Sequence, residues 1–324
     1  MRIVSGMRPS GRLHIGHLSV LGNWIRLQSE NECFFFVADW HALTTSFDNT
    51  EAIRENRREM VADWLAVGLS PERSTIFVQS EIPAHAELHL VFSMVTPLSW
   101  LERVPTYKDQ VQQLGEQGKD ISTYGFLGYP LLQSADILVY RADAVPVGQD
   151  QLPHLELCRE VARRFNHLYQ PVFPEPKALL AKAALTPGVD GRKMSKSYGN
   201  EISLSGEQGA VEERVRMMIT DPARIRKNDP GHPEVCNVFT FHSSYSLDEV
   251  PEIEADCRAG KIGCVACKKR LAVALNSMLD PVRVRREQIL SDRDYLDGVL
   301  EEGRKKAAAE AVRTMEMVRE ALRI

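Results

Sequence analysis

The sequence predicts an α/β protein with a doubly wound parallel sheet and a second, mostly helical domain. Short apolar segments of strand length alternate with amphipathic segments of helical period in the first half of the chain, as in a parallel sheet with right-handed crossovers. From residue 211 onward the periodicity is mostly helical. The 324 residues exceed one average domain, which favours two domains.

The first predicted elements are a strand, a loop that contains several glycines, and a helix. Proline-rich residues 171–176 and a flexible loop at 187–191 place the end of the first domain near residue 185. The predicted elements are a strand at 2–5, a loop at 6–16, a helix at 17–30, a strand at 33–37, a helix at 50–67 and a strand at 75–79.

The last predicted element is an amphipathic helix at 301–324 that packs back on the first domain. Its apolar stripe consists of Ala308, Val312, Met315, Val318 and Leu322. The predicted divisions of the chain are residues 1–185, a loop at 186–200, a helical domain at 201–295 and a C-terminal helical segment at 296–324.

Composition and charge exclude several classes of protein. A hydrophobic content of 44% with 26% charged residues is typical of a soluble enzyme, and no apolar run approaches the roughly 20 residues of a membrane span. The N-terminus lacks the features of a signal peptide, so we expect a cytoplasmic protein. A net charge of -4 argues against nucleic-acid binding over the whole surface and is compatible with a local basic face.

A first motif lies between the first strand and the first helix, where a nucleotide can meet the edge of a parallel sheet and a helix N-terminus. His14 and His17 lie about one turn apart and could reach an ATP phosphate. Gly16, without a side chain, lets the backbone approach the nucleotide closely. A histidine pair with one glycine also arises by chance, so the motif alone leaves a structural role open.

A second motif, Lys193-Met194-Ser195-Lys196-Ser197, places two lysines three residues apart on a loop. Mobile point charges suit a pyrophosphate leaving group, because its negative charge grows as the phosphorus–oxygen bond breaks. Exposed loops often carry two lysines without a catalytic role. The pairing with the upstream histidines is what favours catalysis here.

These motifs, His14-Ile-Gly-His17 and Lys193-Met-Ser-Lys-Ser197, resemble the HIGH and KMSKS signatures of the class I aminoacyl-tRNA synthetases. The resemblance implies a Rossmann-type domain on which an amino-acid carboxylate attacks the α phosphate of Mg-ATP in line, with no covalent enzyme intermediate. Catalysis would rest mostly on positioning and electrostatics, so His14, His17, Lys193 and Lys196 would stabilise transition-state charge.

Asp136 lies in an otherwise apolar helical run, and a buried carboxylate is costly unless it is hydrogen-bonded. From the residues alone, a structural acid paired with an arginine or a backbone donor is the simpler interpretation. However, segments 38–44, 101–108, 129–140 and 145–151 are together similar to bacterial tryptophanyl-tRNA synthetases, and the likeness spans nearly the whole chain.

The resemblance implies that Asp136 accepts a hydrogen bond from the indole N–H, while Tyr129, His41 and Gln151 hold the polar ends of tryptophan. A site with a hydrogen bond to satisfy rejects an analogue lacking it by about 10⁴ to 10⁵, so no editing domain is expected. The implied tryptophan-binding residues are Val4, Gly6, His41, Tyr129, Gln133, Asp136, Val145, Val147 and Gln151. The implied ATP-binding residues are Arg8, Ser10, Gly16, His17, Gly148, Asp150, Lys193, Met194, Ser195 and Lys196, and Lys108 joins His14, His17, Lys193 and Lys196 as catalytic.

Two positions depart from the family pattern. Gln149 stands where the family usually has glutamate, which lowers the negative charge near the nucleotide and its magnesium. Gln133 replaces a methionine found in some bacterial members and adds a donor and an acceptor against the indole. Asp150, the ribose-side contact of the family, is kept.

The expected function is therefore ligation of L-tryptophan to tRNA(Trp) with ATP and Mg²⁺, by a homodimer on which a tRNA bridges the subunits; neither a membrane nor DNA is expected as a partner. The alternatives are a tyrosine-specific relative, a small nucleotidyltransferase, and a non-catalytic iron–sulfur or RNA-binding regulator. The segment ending at Gln151, with His154 and Arg159, fits the tryptophan enzymes better than the tyrosine enzymes. The length and the intact motifs argue against the other two.

Four of the six cysteines, Cys236, Cys257, Cys264 and Cys267, lie close together with gaps of 20, 6 and 2 residues. In a reducing cytosol this clustering suggests a metal, and four thiolates suit tetrahedral zinc or an iron–sulfur cluster. Four unrelated buried thiols are the alternative. Some bacterial tryptophanyl-tRNA synthetases carry a 4Fe-4S cluster on a similar set with a longer first gap, so the resemblance favours iron over zinc. The flanking Lys261, Lys268, Lys269 and Arg270 would offset the cluster charge and bind anticodon phosphates in a presumed anticodon-binding domain at 201–295.

Overall fold

The computed structural model describes residues 1–116, 120–180 and 186–324, without the side chains of Thr106, Gln110, Gln113, Leu114 and Ser197. The predicted domain boundary at residue 185 lies outside the described residues. The chain divides into two compact units, of which unit 1 comprises Met1–Gly11, Gly22–Lys182 and Asp292–Ile324, and unit 2 comprises Arg12–Leu21 and Ala183–Ser291.

Unit 1 contains a five-stranded sheet in which all the described neighbours are parallel, which confirms the predicted fold class. The strand order is β3-β2-β1-β4-β5, so the chain leaves β1 toward one edge of the sheet and returns to its other side. The switch point of a doubly wound sheet therefore falls between β1 and β4, where such folds bind ligands. The strands are β1 (Arg2–Met7), β2 (Glu32–Val37), β3 (Ser74–Val78), β4 (Ala144–Val147) and β5 (Lys177–Leu180).

Strand β2 runs through the centre of the core, with every residue from Cys33 to Val37 buried. On one face Phe35 stacks on Trp24, with 4.4 Å between ring centroids. On the other face Phe34 stacks on Tyr140 at 4.8 Å. Burial on both faces explains why this strand reads as a continuous apolar run without alternation. Helix α1 begins within residues that are grouped with unit 2. The helices of unit 1 are α1 (Leu18–Leu27), α2 (Asp39–Ser46), α3 (Thr50–Val67), α4 (Ala84–Val95), α5 (Leu98–Glu102), α6 (Pro105–Glu116), α7 (Tyr124–Leu127), α8 (Tyr129–Leu138), α9 (Leu152–Leu168) and α14 (Arg293–Leu322).

Helix α14 packs on the edge strand β3 and on α4. A Cβ at Gly303 would lie 1.7 Å from the carbonyl oxygen of Ile76, so the helix backbone touches the strand there. This contact sets the rotation of the helix and corrects the predicted stripe. Met315 and Val318 are buried, but Val312 is 52% exposed, and the buried line instead follows small residues at Gly303, Ala307 and Ala311.

Unit 2 is mostly helical, as predicted. Its core is built where α10 and α11 pack on the long helix α13, with Val211, Val215 and Phe241 against Leu271 and Leu275. Within the described parts of the chain, we find no helix with the length and apolar content needed to cross a bilayer. The helices of unit 2 are α10 (Gln208–Met217), α11 (Asn237–Tyr245), α12 (Val250–Arg258) and α13 (Cys264–Ser291).

Candidate active site

A cavity of about 340 Å³ opens in unit 1 at the carboxyl ends of β1 and β4, against α8. Its position is the switch point between the two halves of the sheet, and its size is typical of a small-molecule site. All nine residues that the resemblance implies for tryptophan line this cavity, and Arg8 of the implied ATP set joins them. The nine are Val4, Gly6, His41, Tyr129, Gln133, Asp136, Val145, Val147 and Gln151.

The shape of the cavity depends on a glycine at the end of β1. A Cβ at Gly6 would lie 2.5 Å from the ring of Phe36 on the neighbouring strand. The glycine therefore leaves room for this ring, which lines the cavity together with Phe126. Neither phenylalanine was predicted as a site residue. The sequence of a buried apolar segment does not show which of its side chains face a ligand and which face the core.

Asp136 is almost fully buried on α8 and accepts hydrogen bonds from three side chains. His41 Nε2 lies 2.7 Å from Oδ2, while His85 Nδ1 and Gln79 Nε2 each lie 2.7 Å from Oδ1. Burial by itself raises the pKa of this carboxyl, but the hydrogen bonds from His41 and His85 and the electrostatic effect of these two side chains outweigh it and hold the pKa well below its usual range. The arginine or backbone donor considered from the sequence is not among these partners.

A tyrosine–histidine pair also lines the cavity. Tyr129 Oη and His154 Nε2 are 2.9 Å apart, and the Tyr129 ring packs on Phe126. Burial lowers the pKa of His154 to about 4, against the opposing effect of Asp150, so this imidazole is neutral at pH 7. His154 lines the cavity although the sequence did not mark it as a site residue.

The segment after β4 forms the edge of the cavity. Asp150 lies on an exposed turn at Gln149–Gln151, and Gln151 donates to its carboxylate at 2.8 Å. A Cβ at Gly148 would lie 2.6 Å from Asp150 Oδ1, so the glycine allows the acid to fold back over the turn. Of the other predicted residues in unit 1, Lys108 on α6 and Ser10 are exposed and do not line the cavity.

The histidine motif and the lysine motif meet in unit 2 through backbone hydrogen bonds. Ile15 donates to the carbonyl of Ile202 at 3.0 Å, and Leu204 donates to that of Leu13 at 2.9 Å. These bonds attach the histidine loop to the segment that follows the lysine loop. A Cβ at Gly16 would lie 3.6 Å from Met194 Sδ, which brings the two motifs into near contact.

The two histidines of the motif are held against each other. Their ring centroids are 3.9 Å apart, and the backbone N–H of His14 donates to Nδ1 of His17 at 3.1 Å. Burial lowers the pKa of His14 to about 4 and that of His17 to about 3, and the charge of Lys196 adds to both effects. Both imidazoles are therefore neutral at pH 7, so the positive charge at this site comes from lysine.

A buried asparagine fixes the lysine loop. Asn200 is 2% exposed, and its Oδ1 accepts from the backbone N–H of Ser195 at 2.8 Å. Its Nδ2 donates to Asp190 Oδ1 at 2.7 Å and to the carbonyl of Lys193 at 3.2 Å. Asn200 was not among the residues predicted for the site. A possible signal was its place directly after Gly199, whose φ of 58° ends the loop with a tight turn.

The four clustered cysteines approach one another in unit 2, at the start of α11, the end of α12 and the first turn of α13. Burial raises the pKa of the Cys267 thiol to about 12, and the other three thiols add to this effect. Arg224 Nη1 lies 3.8 Å from Cys257 Sγ, and His242 Nε2 lies 3.5 Å from Cys267 Sγ. Among the residues that the structure describes, no three His, Cys, Asp or Glu side chains are arranged to hold a single metal ion.

Two of the four basic residues that flank the cysteines are engaged within the protein. Lys268 Nζ donates to the carbonyl of Arg216, and Arg270 pairs with Glu249 and Glu252. Lys261 and Lys269 are exposed. The charge available to an RNA at this surface is therefore smaller than the sequence suggested.

Comparison with known proteins gives consistent matches. The family described as class I tRNA synthetases (W and Y) matches residues 1–280. The tryptophan–tRNA ligase of Thermotoga maritima is 52% identical, over 100% of this chain and 99% of its own, and that of Aquifex aeolicus is 46% identical over 100% of both. A crystal structure of the tryptophanyl-tRNA synthetase of Campylobacter jejuni, complexed with ADP and tryptophan, covers 100% of both chains with a TM-score of 0.92 and 30% identity.

Proposed function

Because the chain belongs to the class I tRNA synthetases for tryptophan and tyrosine, we infer how its residues perform the reaction of that family. The chain is a ligase of the bacterial tryptophan type: it activates tryptophan with ATP and joins it to tRNA. The tyrosine-specific, nucleotidyltransferase and non-catalytic alternatives are thereby set aside. The assignments that follow concern which residues do this work.

We propose that tryptophan occupies the cavity of unit 1, and the observation that carries this assignment is the state of Asp136. An ionised carboxylate at the wall of an apolar cavity is a strong acceptor for a donor-only indole N–H. Its Oδ2 is the oxygen on the cavity side, where His41 now donates to it. Tyr129 and Gln151 lie on the same lining and would hold the amino and carboxylate groups.

The paired histidine and lysine loops of unit 2 are proposed to bind the phosphates of ATP. In-line attack of a tryptophan carboxylate oxygen on the α phosphorus breaks the bond to pyrophosphate, so negative charge accumulates on the leaving group. Lys193 and Lys196 would neutralise that charge. His14 and His17, being neutral, would act as hydrogen-bond donors to phosphate and contribute no net charge. Mg²⁺ enters as part of the substrate Mg-ATP.

The four-cysteine set is proposed to hold a 4Fe-4S cluster. The mutual effect of the four thiols on the pKa of Cys267 supports their convergence. A single zinc ion, with bonds of about 2.3 Å to each sulfur, needs thiolates only about 3.8 Å apart, an arrangement that the described residues do not form. The preference for iron over zinc rests on the resemblance to tryptophan enzymes that carry such a cluster. When bound, the group would crosslink α11, α12 and α13 and play no part in adenylate chemistry.

A homodimer is proposed as the working form, with a tRNA contacting both subunits and its anticodon at residues 201–295. The support is a group of exposed apolar side chains along α4 and the start of α5, where Leu90, Met94 and Leu98 are 56%, 73% and 62% exposed. Such a group is unusual on a monomer surface and typical of a protein interface. We also propose that the protein acts in the cytoplasm, where its tRNA substrate is found.

Amino-acid-dependent exchange of pyrophosphate into ATP, measured with tryptophan and tyrosine separately, tests the assignment of the site. We expect exchange with tryptophan and almost none with tyrosine, whose phenol cannot place an N–H on Asp136. Equal exchange with both amino acids would contradict the role of Asp136. The Asp136 variants described below would then be expected to leave tryptophan exchange unaltered.

A further inference from the structure

The Asp136 carboxylate has two oxygens with different surroundings. Oδ2 faces the cavity through its contact with His41, which lines it. Oδ1 faces away, toward Gln79 and His85, which have no exposed surface and do not line the cavity. A ligand can therefore exchange with the partner of Oδ2 but has no access to the partners of Oδ1.

The orientation of Gln79 is fixed by a backbone contact. Its Oε1 accepts from the backbone N–H of Trp40 at 3.1 Å, so its amide nitrogen must be the atom that donates to Asp136. Gln79 lies in the short turn that follows β3, and His85 lies at the start of α4, directly after it. The carboxyl end of β3 thus supplies both supports of the carboxylate.

His85 has its own support from Tyr140. The phenol oxygen lies 2.8 Å from His85 Nε2, and the Tyr140 ring is fixed by stacking on Phe34. Burial, together with the charge of Asp136, raises the pKa of Tyr140 well above its usual value, so the phenol keeps its proton. Tyr140 then donates to Nε2, which leaves Nδ1 as the ring nitrogen that donates to Asp136.

From this geometry we propose that His85 is a positioning residue for tryptophan selectivity: with Tyr140 it orients the Asp136 carboxylate so that Oδ2 is presented to the indole N–H. The proposal rests on the proposed tryptophan site. A carboxylate held by two fixed donors on one oxygen cannot rotate to meet a ligand without an N–H, and its reorganisation cost on binding tryptophan is small. The indole N–H would replace His41 at Oδ2, which would free His41 for the polar end of the amino acid.

The test compares tryptophan with β-(3-benzothienyl)alanine, an analogue in which sulfur replaces the indole N–H. The measured quantity is kcat/KM for tryptophan divided by kcat/KM for the analogue in pyrophosphate exchange. The Michaelis constant for ATP is a second readout. His85→Gln places its amide near the Nε2 position and loses the donor to Asp136, whereas His85→Asn keeps a donor near the Nδ1 position. Tyr140→Phe removes the donor to Nε2 and leaves every contact of Asp136 in place.

We expect the ratio to fall about tenfold or more in His85→Gln, the value of a hydrogen bond to a charged group, and by roughly threefold in Tyr140→Phe. His85→Asn should restore it to within about threefold of the unaltered protein, and the Michaelis constant for ATP should not change. If His85→Gln lowers activity with both amino acids equally, or neither variant moves the ratio, His85 is merely structural and the proposal is wrong. Should His85→Gln fail to fold, Tyr140→Phe decides by the same criterion.

Asp136→Asn, measured in parallel, separates this proposal from the one on which it rests. If Asp136→Asn keeps the original ratio, the tryptophan site itself is misassigned. If Asp136→Asn loses the ratio while His85→Gln and Tyr140→Phe keep it, the tryptophan site stands and only the role of His85 is wrong.

Discussion

The cavity of unit 1 and the paired loops of unit 2 are held in shape by different means. In the cavity, Asp136 is fixed by buried side chains that reach it from 51 and 57 residues away in the sequence. In the loops, backbone hydrogen bonds and one asparagine position His14 and Lys193, whose side chains stay partly or fully open to solvent. Under the proposed roles, amino-acid recognition lies in a rigid core, while the residues that stabilise the changing charge on phosphate lie on surface loops.

The largest effect should follow from removing the carboxylate of the cavity. Asp136→Ala should lower kcat/KM for tryptophan in pyrophosphate exchange by about 10³-fold or more, because it deletes the indole acceptor and leaves His41 and His85 without their buried partner. ATP binding should be near normal. Glu51→Ala, in the exposed first turn of α3, is the control and should leave activity unchanged. Native efficiency in Asp136→Ala would make Asp136 a structural acid.

Variants of the lysine loop should lower the rate of adenylate formation and leave ATP binding nearly unchanged. Lys196→Ala should lower kcat for adenylate formation by about 10² to 10³-fold, since the lysine charge is most useful as pyrophosphate departs, with the Michaelis constant for ATP within about threefold. Stopped-flow or single-turnover assays measure this split. Lys269→Ala, which removes an exposed cation elsewhere in unit 2, should leave exchange unchanged. A change confined to the Michaelis constant would show that Lys196 only binds ground-state ATP.

The anchoring of the lysine loop can be separated from its charge by exchanging two partners. Asn200→Asp turns the donor that faces Asp190 Oδ1 into a second carboxylate, which should lower kcat by roughly tenfold through loop displacement. The double variant with Asp190→Asn restores a donor and an acceptor to this pair and should recover most of the rate. Failure of the double variant to recover would leave Asn200 as a packing residue without a role in the loop.

The cysteine set should affect charging and spare activation. Protein purified without oxygen should be brown, with absorbance near about 400 nm, and Cys264→Ser should bleach it and lower tRNA charging by several-fold while tryptophan activation stays intact. Cys33→Ala, in the buried β2 strand, is the control and should keep the colour. Colourless protein with one zinc per chain would contradict the iron assignment, and metal-free protein with full charging activity would contradict the site.

The smallest effect concerns pH. The folded pKa values of His14 and His17, about 4 and about 3, lie below the usual 6.5. Below pH 6.5 both histidines become protonated in the unfolded chain but stay neutral in the folded chain. Their contribution to the free energy of unfolding is therefore complete above pH 6.5 and is lost as the pH falls toward 4. Urea unfolding should show a slope of up to about 1.36 kcal/mol per pH unit for each histidine in this window. His17→Gln should reduce this slope by the contribution of one histidine. An unchanged slope would mean that His17 has an ordinary pKa in the folded protein.

The sequence predicted much of unit 1 because its signals are local. The helix at 50–67 has the predicted bounds, and the strands at 33–37 and 75–79 are displaced by one residue at most. The nine cavity residues came from motif resemblance. Gln79, His85 and Asn200 were missed because each works through contacts whose partners are set by the folded structure. Of the five residues predicted for the α14 stripe, only Val312 is exposed. The stripe left out Gly303, Ala307 and Ala311 because large apolar residues outweighed small ones, although Gly303 decides the rotation of that helix.

The seating of α14 on β3 has a consequence for synthesis of the protein. Unit 1 includes Gly22–Lys182 but is completed only by Asp292–Ile324, which are translated after the whole of unit 2. Until then the outer edge of β3 has no helix over it, and an uncovered strand edge is a template for pairing with other chains. A nascent chain would therefore hold most of an α/β sheet with one open edge while residues 183–291 are translated. Emergence of α14, rather than emergence of the sheet itself, is the step that closes this edge against aggregation.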